Sequence, residues 1–134
     1  MGQQQLLLII LGVIVVGIAV AVGITMFADS AVTANRDAVT NDLVNLASRA
    51  QQFYRRPVAL GGGGNSFTGL TASAAGLAKL TSKSSNANGR YSITVAGNNA
   101  SVTLRGVGNE LIGTDTVTMQ MFVDPDSAVA STIY

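Results

Sequence analysis

LLLIILGVIVVGIAVAVGITMF, residues 6–27, is the stretch whose reading decides the fold. It is a continuous apolar run, interrupted only by Gly12, Gly17, Gly23 and Thr25. Its 22 residues would extend about 33 Å as a helix. The hydrocarbon core of a bilayer is about 30 Å thick, so the run predicts one membrane-crossing helix. A buried helix of a soluble core is usually shorter and carries a polar face.

A cleaved secretory signal is the main rival. Such a signal has a basic leader, an apolar stretch of about 7–15 residues and a small-x-small cleavage site. Ala28-Asp29-Ser30 resembles that site. However, the run is too long, and Gly2 and Gln3 to Gln5 supply no Lys or Arg ahead of it. N-myristoylation is also a poor match, because Leu6 stands where Ser or Thr is required. A retained helix is the expectation.

Moving outward, the helical pattern does not stop at the membrane. Residues 31–56 contain neither Pro nor Gly, and Val32, Val39, Leu43, Leu46, Ala50 and Phe53 recur as one apolar stripe. Asn35, Arg36, Asp37, Asn41, Asp42, Asn45, Arg49 and Gln52 occupy the rest of the surface. Pro57 disfavours helical conformation at Arg56, and glycines 61–64 follow. Arg49, Arg55 and Arg56 suit the negative end of the helix dipole. The prediction is one helix over residues 3–56, on the order of 80 Å long, with residues 3–28 in the membrane.

Beyond it, residues 57–134 read as a small glycine-rich head. Eleven of the 15 glycines lie in residues 61–113. Residues 61–65 lack the Gly-Lys-Ser/Thr of a phosphate-binding loop, so they are expected to form a flexible connection. Residues 71–80 suggest a short helix, weakened by Gly76, and residues 81–89 a polar loop. Three alternating runs predict strands: Tyr91, Ile93 and Val95; then Val102 and Leu104; then Val117, Met119, Met121 and Val123. A turn is expected at 97–99 and a loop over 106–115. Phe122 points opposite to its apolar neighbours, toward a contact with another subunit or beneath residues 128–134. The expected fold class is α+β: the long helix packs its stripe on an antiparallel sheet of three or four strands, each completing the other's core.

Composition excludes several chemistries. The chain has 8 basic and 7 acidic side chains, 11% charged in all, against a typical value of about 25%. No stretch concentrates the basic residues, so no nucleic-acid partner is assigned. Histidine, cysteine and tryptophan are absent, which removes Cys and His catalysis, zinc, haem and iron–sulfur ligation, and disulfides. No carboxylate pair sits in a catalytic pattern; a structural protein without cofactor is expected, rather than an enzyme. Asp124 and Asp126, with Glu110 and Asp115, offer oxygen ligands for calcium, but their spacing matches no defined calcium loop and reads better as a solvated turn. Tyr54 with Arg55 and Arg56 is better read as a helix end than as a lipid or nucleic-acid contact.

A near-N-terminal glycine, an apolar helix running into an amphipathic one, and a small antiparallel head together resemble the type IV pilins and pseudopilins. The likeness in layout covers the whole chain, and residues 50–65 (AQQFYRRPVALGGGGN) resemble the helix end and loop of pilin-like proteins. The resemblance implies a prepilin peptidase cut after Gly2, a mature and N-methylated Gln3, and assembly into a homopolymer through the helix. It also implies separate assembly machinery with a cytoplasmic ATPase. The precursor would lie in the cytoplasmic (inner) membrane and the filament outside the cell. Leu7 stands near where the family carries a glutamate, the proline common in the apolar helix is missing, and so is the terminal cysteine pair.

The assembly helix would use Leu6, Leu7, Gly12, Gly17, Ala21, Gly23 and Phe27. Gly17 with Ala21, and Ala19 with Gly23, are small-xxx-small pairs that let helices approach closely. Two other functions stay open at this point: a single-span anchored binding or accessory protein, and a secretion-system pseudopilin.

Overall fold

A computed structural model describes residues 2–134. Helix α1 runs unbroken over Gln3–Arg55, 53 residues. Its end lies where Pro57 was expected to place it, with Arg56 extended at φ −75° and ψ 134°. A 3-10 turn at Val58–Leu60 follows, then a short helix α2 at Ala74–Ala78. The strands are β1 (Gly89–Val95), β2 (Val102–Ile112), β3 (Asp115–Val123) and β4 (Ala128–Thr132). They form one antiparallel sheet in the order β1-β2-β3-β4. The α+β architecture of a long helix on a small sheet is therefore what the chain adopts.

The outer half of α1 lies across one face of the sheet. Val39, Leu43, Leu46, Ala47, Ala50 and Phe53 are buried there. From the sheet they meet Tyr91, Ile93, Val102, Leu104, Met119, Met121 and Val123, with Phe67, Leu70 and Leu77 closing the far end. Strand β1 alternates buried and exposed residues, as a strand with one covered face does, whereas β4 at the sheet edge is exposed throughout. Gly106 lets the helix come close, since a Cβ there would stand 2.6 Å from Cγ1 of Val39. Val32 is only half-buried, so the stripe engages the sheet from Val39 onward.

Several expectations need correcting. The stretch 106–115 is not a loop: β2 continues to Ile112 and turns into β3 at Gly113-Thr114, with Gly113 at φ +66°. The residues there pair Leu111 with Thr116 and Ile112 with Asp115, after a register shift beyond Val107. Residues 128–132 add a fourth strand, paired with β3 from Met119↔Thr132 to Val123↔Ala128. Phe122 faces away from the helix, opposite Val129 in register, so the C-terminal segment lies beside it.

The glycine run is a folded cap and not a flexible connection. Gly63 N–H donates to the Phe53 carbonyl at 2.8 Å, Gly64 N–H to Arg56 at 3.0 Å and Asn65 N–H to Tyr54 at 2.7 Å. These are carbonyls at the helix end that lack a partner within the helix. A side chain at Gly62 or Gly63 would overlap the carbonyl oxygen of Arg56 or Ser66, so only glycine fits the path. Gly76, read as a weakness in α2, is likewise required, because a Cβ would collide with the Thr71 backbone.

Candidate functional site: the bare helix and its junction with the head

The apolar half of α1 touches nothing else in the fold. Large side chains from Leu6 to Phe27 are at least half exposed, and Phe27 reaches 80%. The span is long and apolar enough to cross a membrane, and none of its most apolar stretch is buried. Its one hydroxyl, on Thr25, donates to the Val22 carbonyl at 2.8 Å, so the stretch presents no unsatisfied side-chain donor. A helix long and apolar enough to span a membrane, joined without a break to a folded head, is what the chain builds.

Gly2 is extended at φ −87° and ψ 161°, and Gln3 is the first helical residue. Met1 lies outside the described residues. Leu6, Leu7, Gly12, Gly17, Ala21 and Phe27 are all exposed, and Gly23 is half-buried. A Cβ added at Gly12, Gly17 or Gly23 would meet nothing within 4 Å. Unlike Gly62, Gly76 or Gly106, these glycines answer no need of the monomer.

The acidic residues named for calcium are not brought together. Asp124 accepts from Ser127 Oγ at 3.3 Å, and Asp126 lies 3.6 Å from Arg55. Glu110 and Asp115 belong to the hairpin at the opposite end of β3. Among the described residues no three His, Cys, Asp or Glu side chains form a metal-binding group.

The pattern reading placed Asn35, Asp42 and Arg49 on the free surface of the helix, yet they clamp the junction. Their spacing of seven puts them on one side, facing residues 80–88 and the start of β1. Asn35 Nδ2 donates to the Asn88 carbonyl at 2.9 Å. Asn35 Oδ1 accepts from the N–H groups of Asn109 at 3.0 Å and Glu110 at 3.4 Å. Arg49 Nη1 donates to the Leu80 carbonyl at 3.0 Å. On another side, Gln51 Nε2 donates to the carbonyls of Asp124 and Ser127 at 3.1 and 3.2 Å. The seven-residue recurrence of polar groups was the available signal.

Asp42 is the most heavily engaged of these. Its Oδ2 accepts from Asn86 Nδ2 at 2.8 Å, Asn88 Nδ2 at 2.9 Å and the Tyr91 hydroxyl. Burial pushes the carboxyl pKa up, but hydrogen bonds from Asn88, Tyr91 and Asn86 hold it below the ordinary value. Burial and the neighbouring carboxylate raise the Tyr91 hydroxyl above its ordinary value. With three donors on one oxygen, Asp42 is a structural latch.

Rigidity is what this arrangement supplies. The bare apolar half of the helix continues into the head without a linker, held there by apolar packing on one face and polar clamps on two sides. No protein-family model, curated protein or solved structure matches the chain.

Proposed function

We propose that this chain is a structural subunit of a type IV pilus-like surface filament, polymerising through residues 3–28 of its helix. One observation carries the reading: α1 is continuous over 53 residues, its first half buries nothing and its second half is the core of the head. Leu, Ile, Val and Phe near a helix centre each favour the membrane by about 0.3–0.6 kcal/mol, on the order of 5 kcal/mol or more over the span. The subunit therefore rests in a bilayer, and leaves it only for an equally apolar surrounding. A bundle of identical helices is such a surrounding. The empty space at Gly12, Gly17 and Gly23 supports it, since close helix approach gives those glycines a use.

Head-to-tail repetition with a rotation that does not close gives an open filament. In this reading a prepilin peptidase cuts after Gly2. The extended Gly2 ahead of a helix starting at Gln3 suits that cut. An anchored accessory protein would need freedom between anchor and head, and the clamps at Asn35 and Asp42 oppose it. A secretion pseudopilin holding calcium is disfavoured by the separation of Asp124 and Asp126 from Glu110 and Asp115.

The test is electron microscopy of sheared surface material together with mass spectrometry of the N-terminus. Filaments built of chains starting at Gln3 are the expected result. A free monomer starting at Ala31 in the medium would overturn the proposal.

A further inference from the structure

The head carries two apolar protrusions at opposite ends, each rimmed by charge of opposite sign. At the end nearer the membrane segment is the β2–β3 tip. There Leu111 is 61% exposed, and beside it the carboxylates of Glu110 and Asp115 are exposed. Asn35 holds the backbone of Asn109 and Glu110, which fixes the base of this tip at the level of residue 35 on the helix. At the far end, the 3-10 turn after the helix presents Val58 and Leu60, each 71% exposed. Arg56 adjoins them, and its side chain has no hydrogen bond or ion pair among the described residues.

The wider charge distribution follows the same axis. Asp29, Asp37, Glu110 and Asp115 outnumber the arginines at the near end, while arginines and lysines outnumber Asp124 and Asp126 at the far end. The net charge of +1 conceals this polarity.

We infer that the β2–β3 tip of one copy, through Glu110, Leu111 and Asp115, docks on Arg56, Val58 and Leu60 at the far end of a second copy. This deepens the filament reading and rests on it. The two surfaces match in both respects that matter: apolar against apolar at the centre, carboxylate against guanidinium at the rim. A bilayer surface is a poorer partner for the tip, because anionic headgroups repel its carboxylates. The two patches lie on one rigid rod, from residue 35 to residue 56, so the second copy is displaced along the axis by at least about 30 Å. Both ends of every subunit are used and neither patch is self-complementary. The contact is heterologous and propagates.

The chain has no cysteine, which makes the test direct. Leu111→Cys and Leu60→Cys are introduced together and separately into the full chain, in cells that display it, and a mild oxidant is added. The doubly substituted chain is expected to give a ladder of dimers, trimers and higher species on a non-reducing gel, and each single substitution to stay monomeric. Adding Arg56→Glu should cut the ladder about tenfold, and adding Glu110→Lys with Asp115→Lys should restore it. Dimers from Leu111→Cys alone would mean that tip meets tip, and would overturn the inference. No ladder while filaments are seen by electron microscopy overturns this contact and leaves the polymer standing. No ladder and no filaments removes both.

Discussion

Replacing Gly108 with alanine should loosen the helix from the head at the point where it enters. A Cβ at residue 108 would overlap Asn35 Oδ1, with Cβ of Val117 only 3.2 Å away on the other side. The Asn35 side chain must then turn out. It gives up a donated bond to Asn88 and two accepted bonds, from Asn109 and Glu110. Each such bond contributes about 1 kcal/mol net, and the 3.4 Å one less, so the loss is about 2–3 kcal/mol. For a head of this size, about 2 kcal/mol lowers Tm by roughly 8–16 °C. The assay is thermal unfolding of the full chain in detergent micelles, followed by the near-ultraviolet signal of its tyrosines. Gly17→Ala is the control, because nothing lies within 4 Å of a Cβ there, and Tm should stay put. Asn35→Ala combined with Gly108→Ala should cost less than the two separately, since both remove the same bonds. A Gly108→Ala protein melting within about 2 °C of the parent would refute the reasoning.

Other expectations follow from the same geometry. Leu43, fully buried between helix and sheet, should cost about 3 kcal/mol or more as Leu43→Ala, read as the denaturant midpoint of the head. Gly17→Leu should abolish filaments seen by microscopy while leaving head Tm unchanged, because the added side chain obstructs only contacts between helices. The lowered pKa of Asp42 means that its carboxylate stabilises the fold above the ordinary carboxyl value of about 4, and this is lost as pH falls through and below it. Asp42→Asn should therefore flatten the acid limb of a stability–pH curve; an unchanged acid limb would show that the latch contributes nothing. Tyr91 has the opposite sense: its raised pKa stabilises the fold below about pH 10 and fails above it, so Tyr91→Phe should flatten the alkaline limb of the same curve.

How much of this was legible beforehand depends on whether local chain properties decide the outcome. The apolar run, the helix beyond it and its stop before Pro57 are local: hydrophobic length, the lack of glycine and proline in residues 31–56, and one steric clash fix them. The burial of Val39, Leu43, Leu46, Ala50 and Phe53 followed from helical spacing, and that of Tyr91, Ile93 and the apolar face of β3 from alternation. Val95, expected on the same face, lies past a register shift and is exposed. The glycines misled. Gly106 and Gly108 read as loop, yet they sit in strand β2, where helix α1 passes too close for a side chain. Residues 128–132 are exposed throughout and offer no alternation, so only pairing with β3 makes them a strand.

The sequence by itself determined that a greasy rod continues into a half-polar one and ends just before Pro57, because each turn of a helix is stabilised within its own few residues. The tertiary structure decided what the small and polar residues mean. Asn35, Asp42 and Arg49 became clamps, and residues 61–65 became the cap on the helix. A glycine, an asparagine or an unpaired carbonyl declares only a space or a hydrogen-bonding capacity. Its role is set by the distant backbone that comes to fill it.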